Sequence, residues 1–158
     1  MIPTAVTRTV VTTELPAVQA WAARRPGWAV HLDDTALLLT VDAVHPRSGT
    51  ALRITAQLSG YPAVPPAWRF TDPAGGSAAP FPQAGTSTEV VPGSIFHGNR
   101  VICAPWNQLA YAEHNGPHGD WGALTNWKNA GAGSTKADTL ADMLSQIHLH
   151  LTLSPGMS

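Results

Sequence analysis

Between Thr50 and Ser59 the chain alternates: Leu52, Ile54, Ala56 and Leu58 fall on one side, Arg53, Thr55 and Gln57 on the other. A period of two over that length describes a strand with one buried face and one wet face. Such a strand belongs to an antiparallel sheet covered by helices on its apolar side, because a parallel sheet buries both faces. Its neighbours are close in sequence. Trp28 to Leu32 and Ala36 to Val44 are β-prone runs separated by Asp33-Asp34, a turn pair, and His45-Pro46-Arg47-Ser48-Gly49 supplies the next turn. The proline-stiffened crossing Tyr61-Pro62-Ala63-Val64-Pro65-Pro66 leads into Trp68, Arg69 and Phe70, a fourth short strand.

Two segments carry helical spacing. Leu15, Val18, Trp21 and Ala22 recur on one face of Glu14 to Arg25, with Thr13 as the expected N-cap, Pro16 in the first turn and Pro26-Gly27 as the stop. Leu140, Met143, Leu144, Ile147 and Leu151 recur at the positions i, i+3, i+4, i+7 and i+11 of a second helix. Ser134 or Thr135 is its expected cap, with Asp138 in the first turn and Asp142 following. Pro155-Gly156 closes it, and nothing structured is expected to follow. Between these elements lie a loop of low periodicity from Asp72 to Gly93 and an irregular stretch holding Trp106, Tyr111, His114, His118, Trp121 and Trp127, where aromatic anchors replace regular structure. The pattern predicts a single α+β domain over residues 1–158, with its core at about 14–156: a four-stranded antiparallel meander packed against an N-terminal and a C-terminal helix.

Charge excludes some partners. Charged residues make up 12% of the chain, the formal net charge is -1, and no Lys/Arg cluster exists to neutralise phosphates, so neither nucleic acid nor an anionic membrane is expected. The longest apolar runs, such as Ala36 to Leu39 and Val101 to Ala104, are far too short to span a bilayer, and residues 1–11 lack a secretory pattern, so a cytoplasmic location is expected. No Gly-rich phosphate loop is present, and no cofactor is expected.

The element order and several motifs together resemble the ubiquitin-conjugating enzymes. Tyr61-Pro62, Pro65-Pro66 and Phe70 match the family's Tyr-Pro, Pro-Pro approach to the fourth strand; Ile102-Cys103 matches its Ile-Cys, and Trp121 and the Leu140 to Leu153 helix follow in order. The resemblance covers residues 14 to 156. With nothing long after Pro155-Gly156, the two further C-terminal helices of eukaryotic members are not expected, and the short form resembles prokaryotic members of ubiquitin-like conjugation systems, some of which act in antiviral (phage) defence. It implies that Cys103 accepts a ubiquitin-like protein as a thioester from an activating enzyme and transfers it to a protein target.

A lone cysteine is either a buried small hydrophobe or a reactive thiol. Pro105 after Cys103 suggests a strand end entering a loop, where a thiol is exposed. His97-Gly98-Asn99 stands nearest to the family's His-Pro-Asn, so Asn99 is a candidate oxyanion donor and His97 a candidate activator of the thiol. The alternative is plain turn chemistry with an exposed His97. A gap-free comparison puts Ile95 where the family's asparagine stands. His114, Asn115, His118 and Asp120 could line the same cleft, but their spacing matches no compact zinc signature and no metal is expected. Two other readings stay open: a catalytically inactive binding module of the same fold or of the RWD type, and a thiol hydrolase pairing Cys103 with His97 or His118.

Overall fold

The computed structural model describes residues 4–77, 79–131 and 135–158. Four strands pair antiparallel in chain order, β1 (Ala29–Asp33), β2 (Leu38–Val44), β3 (Ala51–Gln57) and β4 (Ala67–Thr71). The registers Val41↔Ile54 and Ile54↔Phe70 align the apolar faces, so that Leu39, Val41, Leu52, Ile54, Ala56 and Phe70 are all buried, as the alternation predicts. On the wet face Arg53 donates to both carboxylate oxygens of Asp42 across the β2/β3 pair, at 2.7 and 3.2 Å. The expected turns form: Asp33 Oδ1 accepts from the amides of Thr35 and Ala36, and His45 Nδ1 accepts from those of Arg47 and Ser48 at 3.2 Å each.

Helix α1 (Thr4–Ala23) starts well upstream of the expected cap Thr13, so Pro16 lies inside it rather than in its first turn. The threonine-rich sequence from Thr4 to Thr13 has poor intrinsic helix propensity, and packing overrides it. Thr7 is buried and donates its hydroxyl to the Tyr61 carbonyl at 2.7 Å, while Thr9 and Thr13 donate back to the carbonyls of Ala5 and Thr9. Val11, Val18 and Trp21 complete the buried stripe.

Helix α2 (Leu140–Leu153) spans the expected residues, with Leu140, Met143, Leu144, Ile147 and Leu151 buried. Its cap is Thr139, whose Oγ1 accepts from the Asp142 amide at 3.2 Å; Ser134 lies outside the described residues, and Thr135 and Asp138 precede the cap. The Glu14 carboxylate joins the two helices. One oxygen accepts from the Tyr61 hydroxyl at 2.6 Å and the other from the Leu140 amide at 2.7 Å, tying α1, the proline crossing and the start of α2 together. Trp68 on β4 then donates its indole N–H to the Met143 sulfur at 3.3 Å, which fastens α2 to the sheet.

The chain after Pro155-Gly156 is ordered, against expectation. Ser158 and Phe81 exchange amide-to-carbonyl bonds at 2.9 and 3.1 Å, and the Gln83 amide donates to Gly156 at 2.8 Å. The loop from Asp72 offers that backbone because Phe81 is packed edge-on against Phe70 and Phe96, at 5.5 and 5.9 Å between ring centroids. No described helix is long and apolar enough to cross a membrane.

Protonation of His45 is expected to destabilise the fold. The side chain is buried, and desolvation followed by the nearby Arg47 charge lowers its pKa below the ordinary 6.5. A depressed value means that its contribution is present above pH 6.5 and is lost as the pH falls, since protonation removes the acceptor that holds two turn amides. Calorimetry as the pH falls below 6.5 is expected to show a falling Tm that His45→Asn, which keeps an acceptor but does not titrate, makes shallower.

Candidate active site

Residues 95–103 fold back on themselves as a short hairpin. Phe96 and Ile102 form an antiparallel bridge, the Cys103 amide donates to Ile95 at 2.7 Å, and the His97 amide donates to Val101 at 3.4 Å. The turn closes with Arg100 N–H to His97 at 2.9 Å, and the left-handed φ of 61° falls on Arg100 rather than on Gly98 or Asn99. Two contacts hold the hairpin down. The Ile95 amide donates to His150 Nδ1 of α2 at 3.4 Å, and Phe96 packs against Phe70 and Phe81.

Asn107, which the sequence reading passed over, fixes the cysteine's own strand. Its Oδ1 accepts from the Trp68 amide at 2.9 Å and the Leu109 amide at 3.3 Å, and its Nδ2 donates to the Ile102 carbonyl at 2.8 Å. The amide is fully buried and links the edge of β4 to the residue before Cys103. A signal for it exists in the sequence: an asparagine closing the mostly apolar stretch Val101 to Trp106 has to find partners inside.

Cys103 is 6% exposed, and desolvation pushes its thiol up to about 11 from 9.0. The exposed thiol expected from Pro105 is therefore not found, because the backbone pair with Ile95 carries the cysteine under cover before the loop begins. Ile95 pairs with Cys103 across the hairpin through that amide bond. By the alternation of the hairpin, His97, Val101 and Cys103 share a face. His97 is exposed, with Nε2 at 3.1 Å from the Ser94 carbonyl, so that Nε2 carries the proton. Asn99 is at the tip, roughly 13 Å of extended chain from Cys103 at about 3.3 Å per residue, and the hairpin does not bring the two together.

A second loop comes alongside. Tyr111 and His118 form a parallel bridge, the His118 amide donates to Ala110 at 3.0 Å, and the Tyr111 hydroxyl donates to the Pro105 carbonyl at 2.7 Å. Gly116 permits this, for a Cβ there would lie 2.2 Å from the carbonyl carbon of Ala110. The His118 ring is thereby set 6.3 Å from that of His97, stacked on Trp121 at 3.6 Å and 1°, with Nδ1 at 3.2 Å from Asp120 Oδ1. Of the polar residues expected in one cleft, His118 thus approaches His97 and Asp120 contacts His118, whereas His114 and Asn115 are exposed on a separate turn. A cleft of about 170 Å³ opens beside the hairpin, lined by Phe81, Phe96, His97 and Arg100 but not by Cys103. Among the described residues no group of three or more potential ligands is placed to hold a metal ion.

A scan against protein-family models and searches of curated proteins and of solved structures found no match.

Asn107→Leu strands the Trp68 amide and the Ile102 carbonyl in the interior and is expected to cost about 3 kcal/mol in urea unfolding. The thiol makes its own prediction. Because the folded value is raised, its contribution to stability is complete below pH 9 and is lost as the pH climbs towards 11. Thiolate absorbance in the ultraviolet, taken as wild type minus Cys103→Ser, is expected to rise with a midpoint near 11.

Proposed function

We propose that this chain is a ubiquitin-conjugating-enzyme-like carrier. Cys103 takes the C-terminal acyl group of a ubiquitin-like protein from an activating enzyme and passes it to an amine on a protein target. The observation that carries the reading is the setting of the cysteine. It follows the four-stranded meander and the docked loop, and sits on a hairpin clamped by Asn107 to β4 and by His150 to α2. This agrees with the order of elements on which the sequence resemblance rests.

The chemistry is exchange at a carbonyl. The Cys103 sulfur attacks the thioester of the charged activating enzyme, a new C–S bond forms, the old one breaks, and the thiol proton passes to the departing sulfur. An amine then repeats the exchange with nitrogen as nucleophile. The energy of activation is supplied by the activating enzyme, so neither step needs a bound cofactor here. A thiol held near 11 is protonated at neutral pH, so charging requires Cys103 to be uncovered and deprotonated in the complex with the activating enzyme. The resemblance to short prokaryotic members adds a setting to the proposal: the cytoplasm of a bacterium, in a conjugation system that serves antiphage defence.

A second reading has observations of its own. The burial of Cys103, with Ile95 facing it and Asn99 remote, is what an inactive binding module of this fold presents. The two are separated by offering the folded protein an excess of a short peptide thioester ending in glycine, the least hindered acyl group. The carrier is expected to gain one adduct by intact mass, absent in Cys103→Ala and released by hydroxylamine. An adduct that forms only after denaturation selects the binding module.

A further inference from the structure

The cleft beside the hairpin has no part in the carrier reading, because Cys103 does not line it. We propose that it is a binding site for a monocarboxylate joined to an apolar group, with the Arg100 guanidinium as the carboxylate's partner. Two sources share that chemistry: the C-terminus of a peptide with an apolar last residue, and a small free carboxylic acid.

The lining divides by chemistry. Phe81, Pro82 and Phe96 supply apolar surface, while Gln83, His97 and Arg100 supply polar groups. The volume of about 170 Å³ suits a group of one residue's size, below the roughly 300–1,000 Å³ of pockets that enclose larger ligands. No described aspartate or glutamate lines this cleft or the adjoining opening of about 330 Å³, which Arg100 also borders. The local charge is therefore positive in a chain of net charge -1.

Arg100 is exposed but held. Its Nη2 donates to the carbonyls of Ala79 and Ser158 at 2.9 and 3.3 Å, which fixes the guanidinium without neutralising it. Among the described residues it has no ion pair, and Nε and Nη1 make no hydrogen bond. A fixed, planar guanidinium with a free edge matches the two oxygens of a carboxylate. One cation balances a monoanion, whereas a phosphate dianion calls for a second. His97 spends Nε2–H on the Ser94 carbonyl and keeps Nδ1 as an acceptor, which suits the amide N–H that a peptide's last residue carries and a simple acid lacks.

The backbone adds an independent observation. Arg100 closes the hairpin turn with a φ of 61°, at a left-handed position where such turns ordinarily carry glycine. Strain held at an arginine that borders a cleft points to its side chain as the reason. The competing role is mechanical, a tie on residues 156–158. That segment, however, is already held to Phe81 and Gln83 by three backbone bonds. Arg100→Gly separates the two roles, since it removes the guanidinium while relaxing the backbone.

The test titrates the isotope-labelled protein with N-acetyl-leucine, N-acetyl-leucinamide and isocaproate and follows backbone amide shifts by NMR. N-acetyl-leucine is expected to move the amides of Gly98 and Arg100 saturably, with a Kd of about 1 mM, and the uncharged amide to bind at least about tenfold more weakly. Arg100→Gly is expected to lose at least about tenfold in affinity at unchanged or higher Tm, and Arg100→Lys, which keeps the charge without the planar fork, to lose less. Isocaproate binding as tightly as N-acetyl-leucine supports the site and assigns it to free acids; weaker binding supports it and assigns it to peptide termini. The absence of saturable shifts from either acid up to about 20 mM overturns the proposal, as does equal binding of the amide. So does binding within about twofold of wild type in Arg100→Gly. The comparison of acid with amide is made on the wild type and stands whether or not the glycine variant folds.

Discussion

The side-chain amide of Asn107 is the bond on which the candidate site depends. An edge strand with apolar cover has amides that need partners, and the Trp68 N–H of β4 finds one in Asn107 Oδ1 rather than in a fifth strand. The same side chain turns its N–H₂ to the Ile102 carbonyl, so a single buried group both finishes the sheet and fixes the residue before Cys103. Gln108 extends the splice, its backbone amide donating to Pro66 at 3.0 Å. Irregular chain is thus tied to regular chain by side-chain bonds, which is how a stretch without a repeating pattern acquires one conformation. Glu14 acts similarly at the other end, where a helix, a proline crossing and a second helix converge on one carboxylate. Burial beside that carboxylate raises the Tyr61 pKa well above the usual range for tyrosine and keeps the phenol as a donor.

How far the fold was legible depends on what holds each part. The four strands and α2 were readable because a periodic face is buried against one neighbour, and periodicity is what a sequence displays. The first half of α1 was not. Thr7, Thr9 and Thr13 carry the wrong propensity, and they become helical through a hydroxyl bond to Tyr61 and the burial of Val11, neither of which is local. The pairing of residues 156–158 with 81–83 depends on where Phe81 docks, which is set by Phe70 and Phe96 from separate parts of the chain.

The site was legible in kind but not in arrangement. That Cys103 belongs to a turn-flanked segment with His97 nearby was readable from the local order; that its amide pairs with Ile95 and its thiol is covered was not, since Pro105 pointed towards a loop. Asn99 drew attention by its closeness in sequence, yet in a hairpin the tip residue is the one farthest from the base. His118 and Asp120 showed the reverse. They lie well beyond the cysteine in sequence, and the His118 ring, with Asp120 bonded to it, is brought beside His97 by the Tyr111 bridge and by a glycine with no room for a side chain.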